Sequence, residues 1–234
     1  MHTSEELRSI YNGRYSTTDD KSDRWSLTHP IAASRVAKAV ASMTGLKKGA
    51  SILDVGCAKG FVSKAFFDQG YSVVGIDISD VAVGMAKEKN QGPVFLVQDG
   101  FDPSLDEHFD LILMRGFSGT NSAQVSPVAD VLQRYKKLLT GNGCIVIQVP
   151  ISRAPRVDSN WQPWSLAFIR EIAETCSLRV DSVCYGDPAA SLIMNVFRKM
   201  RFFLVGTPVN GSILFRLASG RASNHETDVN PASR

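Results

Sequence analysis

From residue 51 onward, short β-branched and aliphatic runs alternate with longer segments whose apolar positions recur at helical spacing, the pattern of a parallel α/β sheet. The predicted strands are 51–55, 72–76, 94–97, 111–114, 144–149 and 179–185, with 212–217 as a last one. Most are apolar almost throughout, as strands become when helices cover both faces of a sheet. The intervening helices begin near Gly60, Ser79, Ser122 and Trp161, and Ser79 followed by Asp80 makes an N-cap. Leu132, Tyr135 and Leu139 continue a helical stripe that Gly141-Asn142-Gly143 ends before the next strand. The fold class this predicts is α/β: a doubly wound, mostly parallel sheet with helices on both faces.

Residues 1–45 precede the first strand, with a polar stretch at 16–24 and a predicted helix over 31–43. They read as an N-terminal helical cap or lid on a main domain spanning 46–218. Residues 219–234 contain one large aliphatic, Val229, and no aromatic. They bury too little apolar surface to offset their ordering entropy and read as a disordered tail. Within the main domain, Val196-Phe197-Arg198-Lys199-Met200-Arg201-Phe202-Phe203 interleaves cations with large apolar residues. That segment fits an amphipathic helix over the sheet edge or a peripheral contact with a membrane surface.

Composition narrows the class. Of 234 residues, 44% are hydrophobic and 21% charged, the balance of a globular domain with a sizeable core. The formal net charge is +3; residues 46–189 carry 14 basic against 16 acidic groups, and residues 190–234 carry 6 against 2. The excess sits at the C-terminal end and forms no basic stripe, so no nucleic-acid partner is expected. The longest apolar runs, such as 144–147 and 202–205, fall far short of the roughly 20 residues that cross a bilayer. With a polar, acidic start where a secretory signal would be apolar, the expected location is the cytoplasm. Cys57, Cys144, Cys176 and Cys184 make no Cys-x-x-Cys pair and no zinc-like spacing, which predicts four buried thiols and no metal.

The chemistry concentrates in Ser51-Ile52-Leu53-Asp54-Val55-Gly56-Cys57-Ala58-Lys59-Gly60. A hydrophobic strand ends in an acid, and a small-residue turn then opens the next helix. Such a turn lets a ligand approach the backbone and the free amides of the helix N-terminus. Seventeen residues after Gly60, the second strand ends at Asp77, where a carboxylate accepts hydrogen bonds from sugar hydroxyls. The dinucleotide fingerprint Gly-x-Gly-x-x-Gly, counted from Gly56, falls on Ala58 and Phe61 and fails twice. The third strand ends in Gln98-Asp99-Gly100-Phe101, so three successive strands each deliver one Asp to the same edge.

In this order and spacing the sequence resembles the class I S-adenosylmethionine-dependent methyltransferases, Rossmann-like proteins of the small-molecule type, over roughly residues 50–150. The resemblance implies a seven-stranded sheet with an antiparallel last strand, formed from a hairpin that Pro208-Val209-Asn210-Gly211 would turn. It assigns Asp54, Gly56, Cys57, Ala58 and Gly60 to the methionine part of S-adenosyl-L-methionine, and Asp77 with Ile78 to its ribose. It assigns Asp99, Gly100 and Phe101 to the adenine, and Met114 or Arg115 at the end of the fourth strand to the methionine part again. Ala58 stands where the family has its middle glycine. Tyr11-Asn12-Gly13-Arg14-Tyr15 resembles the Tyr-x-x-x-Tyr of N-terminal lids in this family, and the faces of Tyr11 and Tyr15 suit a sulfonium; two aromatics packing a terminal helix on the core is the plainer reading.

Methyl transfer to a hydroxyl needs a base within hydrogen-bond reach. His29, in the cap, is the first candidate, against a plain His-Pro turn before a helix; His108 lies in a polar turn, and His2 and His225 sit near the ends. The absence of an Asn-Pro-Pro-Tyr or Asp-Pro-Pro-Tyr pattern after the fourth strand argues against an exocyclic or amide nitrogen target. The expected acceptor is a small molecule, or a sugar or lipid-linked glycan hydroxyl. A nicotinamide-dependent oxidoreductase and a non-catalytic cofactor-binding module share the strand–turn–helix and are the alternatives.

Overall fold

The computed structural model describes residues 3–16, 29–152, 162–205 and 208–217; the tail expected at 219–234, the polar stretch after residue 16, His2, His225 and Trp161 lie outside them. Seven strands make one sheet: β1 (Ser51–Val55), β2 (Ser72–Asp77), β3 (Val94–Val97), β4 (Phe109–Arg115), β5 (Leu139–Ile151), β6 (Leu178–Tyr185) and β7 (Val209–Leu217). Their order is β3-β2-β1-β4-β5-β7-β6. The first five pair in parallel, and β7 runs antiparallel between β5 and β6. The order in which strands are added reverses between the parallel neighbours β1 and β4, so a crevice opens beyond their carboxyl ends, the ligand position of doubly wound sheets.

On one face, α2 (Pro30–Thr44) and α3 (Phe61–Phe67) pack Ala33, Val36, Val40, Val62 and Phe66 against Ile52, Leu111, Leu113 and Val146. On the other, α5 (Val125–Lys136) and α6 (Leu166–Thr175) set Val128, Leu132, Ile169 and Ile172 against Leu53, Ile112, Ile145 and Ile147. Adjacent strand residues thus serve opposite cores, which is why the strands are apolar throughout. α4 (Asp80–Lys89) starts at Ser79, whose hydroxyl accepts from the Ala82 amide, and covers β2 and β3.

The structure departs from the sequence reading in four places. The 30–44 helix, grouped there with the cap, is a layer of the sheet; only α1 (Ser4–Ser16) lies over the crevice. Leu139 leaves the helical stripe and pairs with Phe109, so β5 runs through Gly141-Asn142-Gly143. A Cβ at Gly143 would stand 2.8 Å from the Phe109 carbonyl oxygen, and this close backbone approach is what the glycine permits. Pro208–Gly211 makes no hairpin: Val209, Asn210 and Gly211 pair with Ile151, Pro150 and Val149, and the chain reaches β7 from β6 through α7 (Leu192–Val205). Cys57, Cys144 and Cys176 are buried, but Cys184 on the edge strand β6 is exposed.

Candidate functional site

The turn after β1 carries a left-handed run. Gly56 has φ 72°, Ala58 φ 50° and Gly60 φ 76°. A Cβ at Gly60 would lie 2.5 Å from the Phe95 ring and 3.0 Å from Ala86, so both backbone and space demand glycine there. Ala58 accepts a conformation that costs an alanine about 1–2 kcal/mol, while its amide donates to Asp77 Oδ2 at 2.9 Å. The other Asp77 oxygen accepts from the Ser79 amide at 2.9 Å. Asp77 therefore fastens the first turn to the start of α4 while lining the crevice.

A cavity at this edge is lined by Gly56, Ile76, Asp77 and Ile78 from the first two strand ends, Asp99, Gly100 and Phe101 from the third, and Gly116, Phe117 and Ser118 after β4. Leu7, Tyr11 and Tyr15 of α1 close it. α1 is docked by polar contacts at both ends: Ser4 Oγ donates to Asp99 Oδ2, Asn12 Nδ2 to Asp80 Oδ1, and Ser79 Oγ donates to Asn12 Oδ1 at 2.7 Å. Tyr15 is buried on Ala58 and Ala82. Asp99 folds its own loop, accepting from the Phe101 amide at 2.8 Å, and the buried Tyr135 hydroxyl donates to the Gly100 carbonyl at 2.7 Å. Burial pushes the Tyr135 phenol far up, so it stays a donor.

Other sequence-assigned residues stand behind the cavity wall rather than on it. Asp54 is buried and accepts from Ser63 Oγ at 2.6 Å. Loss of water pushes its carboxyl up to about 6; the Ser63 bond and Arg115 pull the other way, and Asp77 adds to the rise. The Cys57 side chain packs with Val83, Ala86 and Phe95, and Met114 points into the main core. Arg115, one residue on, turns to the opposite side of the sheet and donates from Nη1 to Gln148 Oε1 at 2.6 Å, with Asp187 at 3.7 Å. Burial lowers its guanidinium pKa, and Asp187 and Asp54 hold it up. Gln148 donates on to Ser212 Oγ at 3.0 Å. His29 is exposed outside the cavity, its Nδ1 accepting from the Ile31 amide at 3.3 Å as the N-cap of α2. The structure does not bring it to the site.

Phe117 is the wall residue that sequence reasoning passed over. Its ring lies against Gly56, would collide with a Cβ at Gly100 (2.7 Å) or Gly119 (2.3 Å), and tilts on Phe101 at 5.4 Å between centroids. The only sequence signal was an aromatic among glycines after a strand. Ser63, Gln148 and Asp187 were also missed, since their partners lie at 54, 115 and 212.

Comparison with known proteins bears on this geometry. Residues 28–181 match the family described as Methyltransferase domain. Ubiquinone biosynthesis O-methyltransferase of Rhodopseudomonas palustris (strain HaA2) is 28% identical over 141 residues, covering 58% of this chain and 49% of that protein. The chain thus aligns with about half the length of that relative. In fold it is similar to the 1,6-didemethyltoxoflavin-N1-methyltransferase of Burkholderia thailandensis, solved with 1,6-didemethyltoxoflavin and S-adenosylhomocysteine (TM-score 0.66, 17% identity, 94% of this chain and 92% of that one). It is likewise similar to the magnesium protoporphyrin IX methyltransferase of Synechocystis PCC 6803, solved with bound S-adenosylmethionine (TM-score 0.62, 16% identity, 92% and 97%). With the sheet and its antiparallel β7 in place, a family match covering more than half the sequence shows that the chain belongs to the methyltransferase-domain family.

Proposed function

We propose that the protein transfers a methyl group from S-adenosylmethionine to an oxygen of a small-molecule acceptor, a sugar or lipid-linked glycan hydroxyl included. The observation that carries the reading is the cavity at the carboxyl ends of the first four strands, with Asp77, Asp99 and Phe117 on its wall and Tyr11 and Tyr15 in its roof. These residues fit the cofactor. Asp77 lines the cavity with its carboxylate held by the Ala58 and Ser79 amides, a charged acceptor for a ribose hydroxyl. Phe101 and Phe117 offer apolar faces beside the Gly100 turn for an adenine, and the Tyr11 and Tyr15 rings offer π faces to a cation. Gly56, Ala58 and Gly60 let the backbone come close to the methionine part, with Asp54 as buried charge beneath them.

When bound, S-adenosylmethionine supplies a methyl carbon already activated by a positive sulfur. The chain's part is to hold the acceptor in line and keep water out, the role given to α1. Among the described residues no side chain stands out as a base, and Arg115, Gln148 and Ser212 lend polarity to the edge beyond β4. An oxygen acceptor is favoured by the O-methyltransferase relative and by the missing Asn-Pro-Pro-Tyr pattern.

Calorimetry with S-adenosylhomocysteine and with NADH tests the pocket: heat with the first alone is expected, and heat with NADH alone overturns the cofactor assignment. Labelled cofactor incubated with hydroxyl, amine and nucleic-acid acceptors tests the reaction. Label retained on a hydroxyl compound is expected; label on RNA or DNA in a salt-sensitive manner overturns the acceptor class.

A further inference from the structure

Helix α7 is the most exposed apolar surface among the described residues. Leu192, Ile193, Val196, Phe197, Met200, Phe203 and Leu204 are between 49% and 81% exposed, whereas Phe202 is 3% exposed and packs on Tyr185 at 4.9 Å. At 3.6 residues per turn these seven positions fall on one continuous arc of about 140°. Lys199 borders the arc on one side and Arg201 on the other; Arg198 lies toward the protein, 3.9 Å from Asp187. The helix carries three cations and no carboxylate.

The opposite face is fixed to the domain. Asn195 Oδ1 accepts from the Asp187 amide at 2.9 Å, and Asn195 Nδ2 donates to the Asp187 carbonyl at 2.9 Å. Asp187 in turn approaches Arg115 at the end of β4. The helix is thus held in place with its apolar arc outward, and covering the edge strand β6 accounts for Phe202 and for one edge of the half-exposed Phe203, whose ring meets Tyr185 at 5.9 Å. Fourteen residues are too few to span a bilayer, and no helix among the described residues is long and apolar enough to do so.

We propose that α7 docks the protein on an anionic lipid bilayer, lying in the interface plane with the arc in the acyl boundary and Lys199 and Arg201 reaching lipid phosphates. Charge complementarity selects this occupant. Cations flanking both borders of an apolar arc are placed to lay their stems along it and raise their charged ends to headgroup level, and a surface of anionic headgroups attracts each of them. The arc presents no hydroxyl, amide or carboxylate with which a protein partner would fix a register. The proposal does not depend on the methyl-transfer reading, because its readout is binding alone.

The test is co-sedimentation of the full chain with phosphatidylcholine vesicles and with phosphatidylcholine–phosphatidylglycerol vesicles. Binding is expected with the second, weakening as salt is added. Lys199→Gln with Arg201→Gln is expected to lower partitioning about thirtyfold, roughly fivefold per cation. Phe197→Ser with Leu204→Ser is expected to abolish it while leaving the circular dichroism and urea midpoint unchanged, since both side chains are exposed. No binding to the anionic vesicles, equal binding to both kinds, or a concentration-dependent dimer that Phe197→Ser with Leu204→Ser dissolves would each overturn the assignment; the last would make the arc an interface between copies.

Discussion

Asp54 is an ionised carboxyl kept where ionisation is unfavourable, and its cost can be measured. The group is 3% exposed, and its carboxyl rises from 3.8 to about 6 because burial removes water, an effect the Ser63 hydroxyl and Arg115 offset only in part. A folded value above the unfolded one means the folded protein binds the extra proton. This contribution is therefore fully present below the unfolded value of 3.8 and is lost as the pH rises through about 6. A difference of about two units corresponds to about 3 kcal/mol at neutral pH. Asp54→Asn removes the charge and keeps an oxygen for the Ser63 hydroxyl, while Arg115 retains Asp187, so about 3 kcal/mol is an upper limit on the gain. Urea unfolding of both proteins across the pH range measures it. The stability of the variant minus that of the parent is expected to be near zero below about pH 4 and to climb to its limit by about pH 7. A flat difference, or a variant less stable than the parent at neutral pH, would refute the reasoning and place a compensating cation at Asp54.

Further outcomes follow from other residues. Gly60→Ala forces a side chain into a left-handed backbone and onto the Phe95 ring, and chemical denaturation should show a loss of about 2–4 kcal/mol; a loss below about 1 would mean the turn relaxes freely. Asp77→Asn removes the charge of the acid proposed to accept the ribose hydroxyls, and calorimetry should find S-adenosylhomocysteine bound about 10- to 100-fold more weakly; unchanged affinity would put the ribose elsewhere. Asp110, held below its ordinary value first by the Ser51 amide and further by the Thr140 and Ser51 hydroxyls, has the sign opposite to Asp54. Its contribution is full above 3.8 and is lost as the pH falls through its lower folded value, so Asp110→Asn should flatten the acid end of the unfolding curve.

What was legible in the chain was the part fixed by local chemistry. Strands buried on both faces, such as β1 and β4, announce themselves as unbroken aliphatic runs, and all seven strands were found, β5 without its first five residues, 139–143, which read as a helix end. Gly56, Asp77, Ile78, Asp99, Gly100 and Phe101 line the crevice because strand ends and tight turns are local features with fixed spacing. Depth was not legible. Asp54, Cys57, Met114 and Arg115 belong to the ends of β1 and β4 and the turn between β1 and α3, yet strand pleat and packing turn their side chains to the back of the wall. The Arg115–Gln148–Ser212 chain exists only because β7 inserts antiparallel between β5 and β6 and sets Gln148 beside Ser212. Helix α2 looked like cap because amphipathicity shows that a helix has a buried face, not which partner buries it.

The departure at Ala58 connects the turn to the roof. An alanine at φ 50° costs about 1–2 kcal/mol that a glycine would not, and what it gains is a methyl group in contact with Tyr15 and Ala82. Its amide holds Asp77 Oδ2, the other oxygen of which holds the Ser79 amide, and the Ser79 hydroxyl reaches Asn12 of α1. The closed roof therefore stands on the same short run of atoms that shapes the ribose end of the cavity: α1 touches the turn through Tyr15 and the acid loop through Asn12. If α1 lifts to admit a ligand, Tyr15 leaves Ala58 and the strained turn loses the contact that compensates it. The roof and the acid end of the cavity are thereby joined through named atoms, and a glycine at position 58 would leave the cradle's backbone in place while removing the Tyr15 contact.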